Sequence, residues 1–424
     1  MNIADIHARF LQCTTLSIDT RRIDQGSFFV ALKGERFDAN TFAAEALEKG
    51  ASFVIVDDSQ YVIDSRTILV KNSLTTLQQL SQYHRNYLKL PIIALTGSNG
   101  KTTTKELIHA VLSKQYRTKA TVGNLNNHIG VPLTLLSFTK DTEIGIVEMG
   151  ANHQQEIAFL CAIATPDYGY ITNFGKAHLE GFGGYEGVIK GKSEMYDYLA
   201  ANDKSVFVNL DDSIQSERTQ QMSRVTFGSS DGANLVVRHV SAKPFVHVCY
   251  DNFDIQSKLV GIYNASNITA AAAIGKHFEV SESDIKSALE NYVPANNRSQ
   301  LISKNGIEII LDAYNANPSS MSAALAHFTA NDGKKKVAIL GDMFELGSES
   351  IAEHQAIVQL MIQHRETETW FVGKDFFACT TDDAHLHFYK DYESFATAFT
   401  LGPAKNILIK GSRGMALERC LELI

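Results

Sequence analysis

The sequence predicts an α/β protein of three domains, and three observations predict it. A chain of 424 residues exceeds what one hydrophobic core usually serves. Short apolar runs alternate with helix-period stretches in successive blocks, the pattern of sheets layered with helices. One glycine-rich turn, Thr96–Thr103, falls between such a run and such a stretch. The expected units are a small N-terminal α/β domain over 1–89, a central parallel-sheet domain over 90–296 and a C-terminal Rossmann-like α/β domain over 297–424.

In the first block the runs Phe28–Leu32, Phe53–Val56 and Ile68–Val70 read as strands, with a helix-like stretch at Thr41–Lys49. A polar helical stretch around Leu74–Leu88 then leads to Pro91 and reads as a linker. In the second block Ile92–Leu95 is the short apolar run of a buried parallel strand. From Thr102 onward, Leu107 with Val111 and Ile108 with Leu112 repeat at helical spacing. Ile144–Glu148 and Tyr168–Thr172 follow as strands and Gly187–Leu199 as a helix. Between Val225 and Val260 the pattern becomes β-rich, before an alanine-rich helix at Asn267–Gly275. The third block, from Arg298, carries strand-like runs at Glu308–Leu311, Val337–Leu340, Thr369–Val372 and Ile407–Ile409, a second doubly wound pattern.

Composition narrows the function classes. Apolar content is 44% with seven prolines, which describes a globular protein. The net charge of −8 has no basic stripe and argues against a nucleic-acid partner. The one basic run, Lys334–Lys336, reads as a solvated loop. Five scattered cysteines suit neither a disulfide framework nor a zinc knuckle, and buried free thiols in a reducing cytosol are expected. The N-terminal stretch lacks the charge-then-apolar pattern of a signal peptide, and no apolar run is long enough to span a bilayer. A soluble cytoplasmic protein without stable membrane insertion, and a monomer, is expected.

Gly97, Ser98, Asn99, Gly100, Lys101, Thr102 and Thr103 form a shortened P-loop. Its glycines let backbone N–H groups face phosphate oxygens at a helix N-terminus. Lys101 would reach the β- and γ-phosphates and the Thr102 hydroxyl would hold Mg²⁺. The strict motif wants a glycine where Leu95 stands, so Gly97 is its first glycine. An ordinary glycine turn capping a helix is the plainer alternative, and the strand before with Gly-Lys-Thr after favours phosphate. A second Gly-Lys-Ser, Gly191–Ser193, sits inside a helical pattern and is not a P-loop.

With these residues in place the sequence resembles the Mur ligase family along nearly its whole length. The resemblance rests on Asp19-Thr20-Arg21 and Phe28–Glu35 near the start, and on Gly123–Asn127 with Ile129–Pro132, Glu148–Ala151, Ala177–Glu180 and Gly191–Glu194 in the centre. It continues through Asn264 and Asn267, then Arg298, Asp312–Pro318, Gly341–Gly347 and Lys410–Gly414. Where the family usually has Asp-Gly-His, this chain has Asp38-Ala39-Asn40, and Tyr263 replaces a common histidine.

The resemblance implies a UDP-sugar site on the first domain at Thr20, Arg21, Lys33 and Gly34. It implies ATP contacts from Asn264, Asn267, Arg298, Asp312 and Asn315, and a γ-phosphate loop at Asn127. Two Mg²⁺ ions are implied, with Thr102, Glu148, His178 and a carbamylated Lys192 as ligands, and an acceptor site at Asp342, Met343, Ser412 and Arg413. Within the family the pattern suits a ligase adding D-Ala-D-Ala to UDP-N-acetylmuramoyl-tripeptide through an acyl phosphate, with Lys101, Lys192, His178 and Glu148 catalytic. The absence of an Asp-Asn-Pro-Arg motif in the last domain speaks against a free diamino acid as acceptor. The alternatives are a ligase of the family adding one amino acid, or a P-loop ATPase driving conformational change in a partner. On general grounds His178 is an unusual Mg²⁺ ligand. Lys190 rivals Lys192, which the Gly-Lys-x-Glu pattern favours.

Overall fold

A computed structural model describes residues 1–294, 297–330 and 335–424. The expected domain end at 296 and Lys334 of the basic run lie outside these residues. Three sheets match the three blocks. The first has four parallel strands in the order Leu16–Ser17, Phe28–Val30, Phe53–Val56, Thr67–Leu69. A helix that the sequence reading does not place, Ile3–Phe10, covers it with Ile6 and Phe10 in the core.

The stretch expected as a linker is a firm helix, Ser73–Leu88. Asn72 caps it by accepting the Thr75 N–H at 2.8 Å, and Lys89 ends it in a left-handed conformation. Its apolar positions Leu77 and Leu80 are fully buried with Ile6, Phe28 and Leu136, each worth roughly 1.5–3 kcal/mol of burial. On the other side Arg85 pairs with Asp167 at 2.7 Å and Gln82 donates to the Ala162 carbonyl at 2.7 Å. The helix is therefore a bolt between the first two domains. Its few apolar residues all lie on one face, which is why the stretch reads as polar.

The central sheet has nine strands. Its order is 253–260, 245–250, 235–242, 223–228, 205–209, 168–171, 92–96, 144–148, 118–120. The last three of the four strands in the β-rich segment, 235–242, 245–250 and 253–260, pair antiparallel with one another, and all other pairings in the sheet are parallel. Ile92–Thr96 lies in the middle of the parallel part, all five residues buried. Its neighbours are Tyr168–Ile171 and Ile144–Glu148, with Leu95 opposite Glu148 and Thr96 opposite Ile171. Parallel register thus delivers the P-loop, Glu148 and the 172–178 segment to one sheet edge, where ligands of such sheets gather.

The C-terminal sheet has six strands in the order 300–304, 307–312, 406–410, 336–341, 367–372, 386–389, all parallel except the first pair. Lys336 is not in a solvated loop. It opens a strand, is 4% exposed, and donates to the Thr329 carbonyl at 2.7 Å. The buried core runs on from the central domain to Met321, Leu325 and Leu340, so these two domains are packed together. All five cysteines are free thiols. Among the described residues no helix is long and apolar enough to cross a membrane.

Candidate active site

The loop after Ile92–Thr96 folds tightly against the next strand. A side chain on Gly97 (φ 142°) would place its Cβ 1.9 Å from Thr172 Oγ1, so only glycine fits. Thr172 Oγ1 donates to the Asn99 carbonyl at 2.5 Å, the Asn99 N–H donates to Asn173 Oδ1 at 3.1 Å, and Ser98 Oγ donates to the Gly175 carbonyl at 2.7 Å. Lys101 opens the helix Lys101–Leu112, and its ammonium donates to the Gly97 carbonyl at 2.8 Å. Burial lowers the Lys101 pKa, opposed by the Glu148 carboxylate.

Glu148 is 1% exposed at the end of its strand. Its Oε1 accepts from Thr102 Oγ1 at 3.3 Å and from Asn126 Nδ2 at 2.9 Å, while Oε2 is buried with no partner among the described residues. Lys105 Nζ stands 4.0 Å from that oxygen. A carboxylate oxygen buried and unmet beside a hydroxyl is a donor set of hard oxygens, the kind that suits Mg²⁺. The sequence reading missed two of these residues. Asn126, rather than Asn127, touches Glu148; Asn127 instead accepts from the Ile129 and Gly130 N–H groups at 3.1 and 2.9 Å and shapes the turn. Lys105 had a signal, being four residues after Lys101 and hence on the same helical face.

Lys192 lies inside the helix Tyr185–Ala201, 1% exposed, with Nζ 5.2 Å from the centre of the Phe182 ring. Burial, then the charge of Lys101, pushes its pKa well below the ordinary lysine value. It lines neither cavity described below. Among the described residues no three His, Cys, Asp or Glu side chains cluster as a metal site.

A cavity of about 990 Å³ lies between the central and C-terminal domains. Ser98–Thr103 floor it, with Asn127, Glu148 and His178 beside them. Asn264 and Asn267 line it from the alanine-rich helix, where Asn267 Nδ2 donates to Asn264 Oδ1 at 2.8 Å and Thr104 Oγ1 donates to Asn267 Oδ1 at 3.0 Å. The C-terminal domain adds Arg298, Asp312 and Asn315. The Arg298 guanidinium stacks 3.6 Å over the Tyr314 ring, and Asp312 is held by Lys410 at 2.5 Å and by the Ser299 N–H at 3.1 Å. Asn317 Nδ2 donates to Asn99 Oδ1 at 2.7 Å, tying that domain to the P-loop.

A second cavity of about 340 Å³ shares His178, Tyr314 and Asn315 with the first and adds Phe344, Ser412 and Arg413. Asp342 and Met343, expected here, line neither cavity. Asp342 accepts the Asp375 and Phe376 N–H groups at 3.1 and 3.0 Å, capping the helix Lys374–Phe377. Met343 is fully buried in the shared core. Thr20, Arg21, Lys33 and Gly34 lie on the first domain and line neither cavity. Arg21 pairs with Asp19 and Lys33 with Asp38, each at 2.8 Å. Asn40, at the departure from Asp-Gly-His, is fully buried and donates to Asp38 and Asp57 at 2.8 and 2.7 Å.

Fold and site together define a P-loop α/β enzyme whose cleft is completed by a second α/β domain. Residues 95–275 match the Mur ligase middle domain and 297–413 the Mur ligase glutamate ligase domain. The chain is 35% identical to the UDP-N-acetylmuramoyl-tripeptide--D-alanyl-D-alanine ligase of Bacillus subtilis (strain 168), over 96% of this chain and 92% of that protein. It superposes on a crystal structure of MurF from Acinetobacter baumannii with a TM-score of 0.87 and 32% identity, covering 96% of this chain and 92% of that one. With MurF ligase of Thermotoga maritima in complex with ADP the TM-score is 0.84 at 26% identity, covering 98% and 97%. The protein belongs to the Mur ligase family.

Proposed function

We propose that this protein is an ATP-dependent, ADP-forming ligase that joins D-Ala-D-Ala by an amide bond to UDP-N-acetylmuramoyl-tripeptide, in cytoplasmic synthesis of peptidoglycan precursors. The observation that carries the reading is the large cavity with the P-loop as floor and Arg298, Asp312 and Asn315 as facing wall. Activating a carboxylate with ATP and then aminating it needs both partners in one water-poor space. The full-length likeness to the Bacillus subtilis ligase supports the choice of donor and acceptor.

In the first step the donor's terminal carboxylate attacks the γ-phosphate and ADP leaves. In the second the dipeptide's amine attacks the acyl carbon and phosphate leaves. Lys101 and the N–H groups of Gly100–Thr103 neutralise the phosphate oxygens as charge spreads over them. Asn264 and Asn267 hold the adenine end, while Arg298, Asp312 and Asn315 grip the nucleotide from the closing domain. Thr102 and Glu148 would hold Mg²⁺, which supplies further neutralisation of the phosphates when bound. His178 and Lys192 are assigned to a second ion. The depressed pKa of Lys192 supports its carbamylation, because CO₂ adds to a neutral amine with loss of a proton.

Thr20, Arg21, Lys33 and Gly34 are assigned to the UDP end, Asn127 to the γ-phosphate loop, and Ser412 and Arg413 to the acceptor. The domain limits that go with these roles are 1–89, 90–296 and 297–424, in a monomer. The test is ADP and phosphate release with D-Ala-D-Ala against L-lysine, diaminopimelate and D-glutamate, each with its matching UDP-muramoyl precursor. Turnover should need both substrates and be fastest with the dipeptide. Faster turnover with a free amino acid overturns the acceptor, and phosphate release without either substrate overturns the ligase.

A further inference from the structure

Two loops from different domains meet beside the cavities. His178 donates its Nδ1–H to a carboxylate oxygen of Glu345, and the Glu180 N–H donates to the Glu345 carbonyl at 3.3 Å. His178 and Glu345 both hold left-handed backbone, φ 53° and 62°. Non-glycine residues keep that conformation where their surroundings enforce it. Two residues later Gly347, φ 56°, comes so close that an added Cβ would lie 3.0 Å from the Glu180 Cβ. The close approach is thus built into both chain segments, and the His178 side chain is only 20% exposed beneath it.

We infer that Glu345 is a positioning residue for His178, supplied by the C-terminal domain. A histidine working through one ring nitrogen is oriented by the bond at the other. Glu345 accepts the hydrogen bond from Nδ1–H, which fixes the tautomer and leaves the Nε2 lone pair for the site. Because Glu345 arrives with its domain, His178 is set in its working orientation when that domain is docked. The inference rests on the proposed role of His178. A plain surface ion pair would instead touch stability slightly and leave the ring's tautomer and the turnover alone.

The test combines nitrogen NMR of histidine-labelled full-length protein with steady-state kinetics. The His178 resonances, assigned by their loss in His178→Ala, should report the Nδ1–H form in the natural protein and a tautomer mixture in Glu345→Ala. Glu345→Ala should lower kcat by about 10–100-fold and shift the KM for ATP far less. Glu345→Gln keeps an acceptor oxygen and should recover most of the loss. In a His178→Ala background, Glu345→Ala should add nothing. An unchanged His178 signal in Glu345→Ala, or additive losses in the double variant, overturns the inference. Inactive His178→Ala beside a fully active Glu345→Ala removes this inference alone, whereas fully active His178→Ala removes the role proposed for the histidine itself.

Discussion

Asn126 donates its side-chain amide to Glu148 across 2.9 Å, joining the loop before the helix Gly130–Leu136 to the end of the strand beside the P-loop. Among the described residues the side chain of its neighbour Asn127 bonds only to the turn. The two should separate on substitution. Asn126→Ala should cut kcat by about 10–100-fold with little change in melting temperature, as expected when a ligand's supporting partner is lost. Asn127→Ala should lower stability by about 1 kcal/mol, the usual cost of a lost side-chain cap. Turnover assays and thermal melts of both variants check this.

Lys101→Ala should abolish ligation and leave the fold intact, because its ammonium rests on the Gly97 carbonyl in the floor of the cavity. Retention of more than about a tenth of the activity, a barrier change under about 1.4 kcal/mol, counts against its role. Circular dichroism of the variant checks the fold.

Lys192→Met should be inactive yet more stable than the natural protein at neutral pH in CO₂-free buffer. The folded state holds this amine with its pKa lowered, so below the unfolded value of about 10.4 the unfolded chain binds more protons. Stability therefore rises with pH through that window, and the advantage of methionine shrinks as pH rises. Urea unfolding at pH 7 and pH 9.5 gives the comparison. Added bicarbonate should stabilise the natural protein and not the variant.

A pair of imidazoles sets an acid limit. His84 Nε2 bonds the Phe138 carbonyl at 2.9 Å and so carries the proton, which makes its Nδ1 the acceptor for His7 Nε2–H, also at 2.9 Å. Burial, then the neighbouring His84, lowers the His7 pKa to about 4, against an unfolded value near 6.5. The stabilisation is full above about pH 6.5 and is lost as pH falls toward 4, since the unfolded state then binds more protons. Stability should drop by about 1–2 kcal/mol between pH 7.5 and 5, allowing for screening of a site near the surface. His7→Phe should flatten that dependence in denaturant titrations at the two pH values.

What could be read from the sequence was what is local. A buried strand, two glycines, a lysine and a helix are contiguous, so the P-loop announces itself, and parallel register then brings Glu148 alongside. Where Asp342 and Met343 point was not legible, because a strand end offers both cleft-facing and helix-capping positions, and linear spacing does not tell them apart. The bond between His178 and Glu345 spans 167 residues and two domains, with no trace in either local pattern. The helix Ile3–Phe10 was legible in principle, from Asn2 as cap and Ile6 with Phe10 four residues apart.

The bolt formed by Ser73–Leu88 makes the span from the first domain to the P-loop a fixed length. On the function proposed above, the donor is anchored by its UDP end at one extremity and reacts at the other. Such a protein would act as a gauge block, and a donor peptide one residue shorter or longer should be ligated more slowly. Peptide length is then measured by the rigidity of a helix distant from the chemistry.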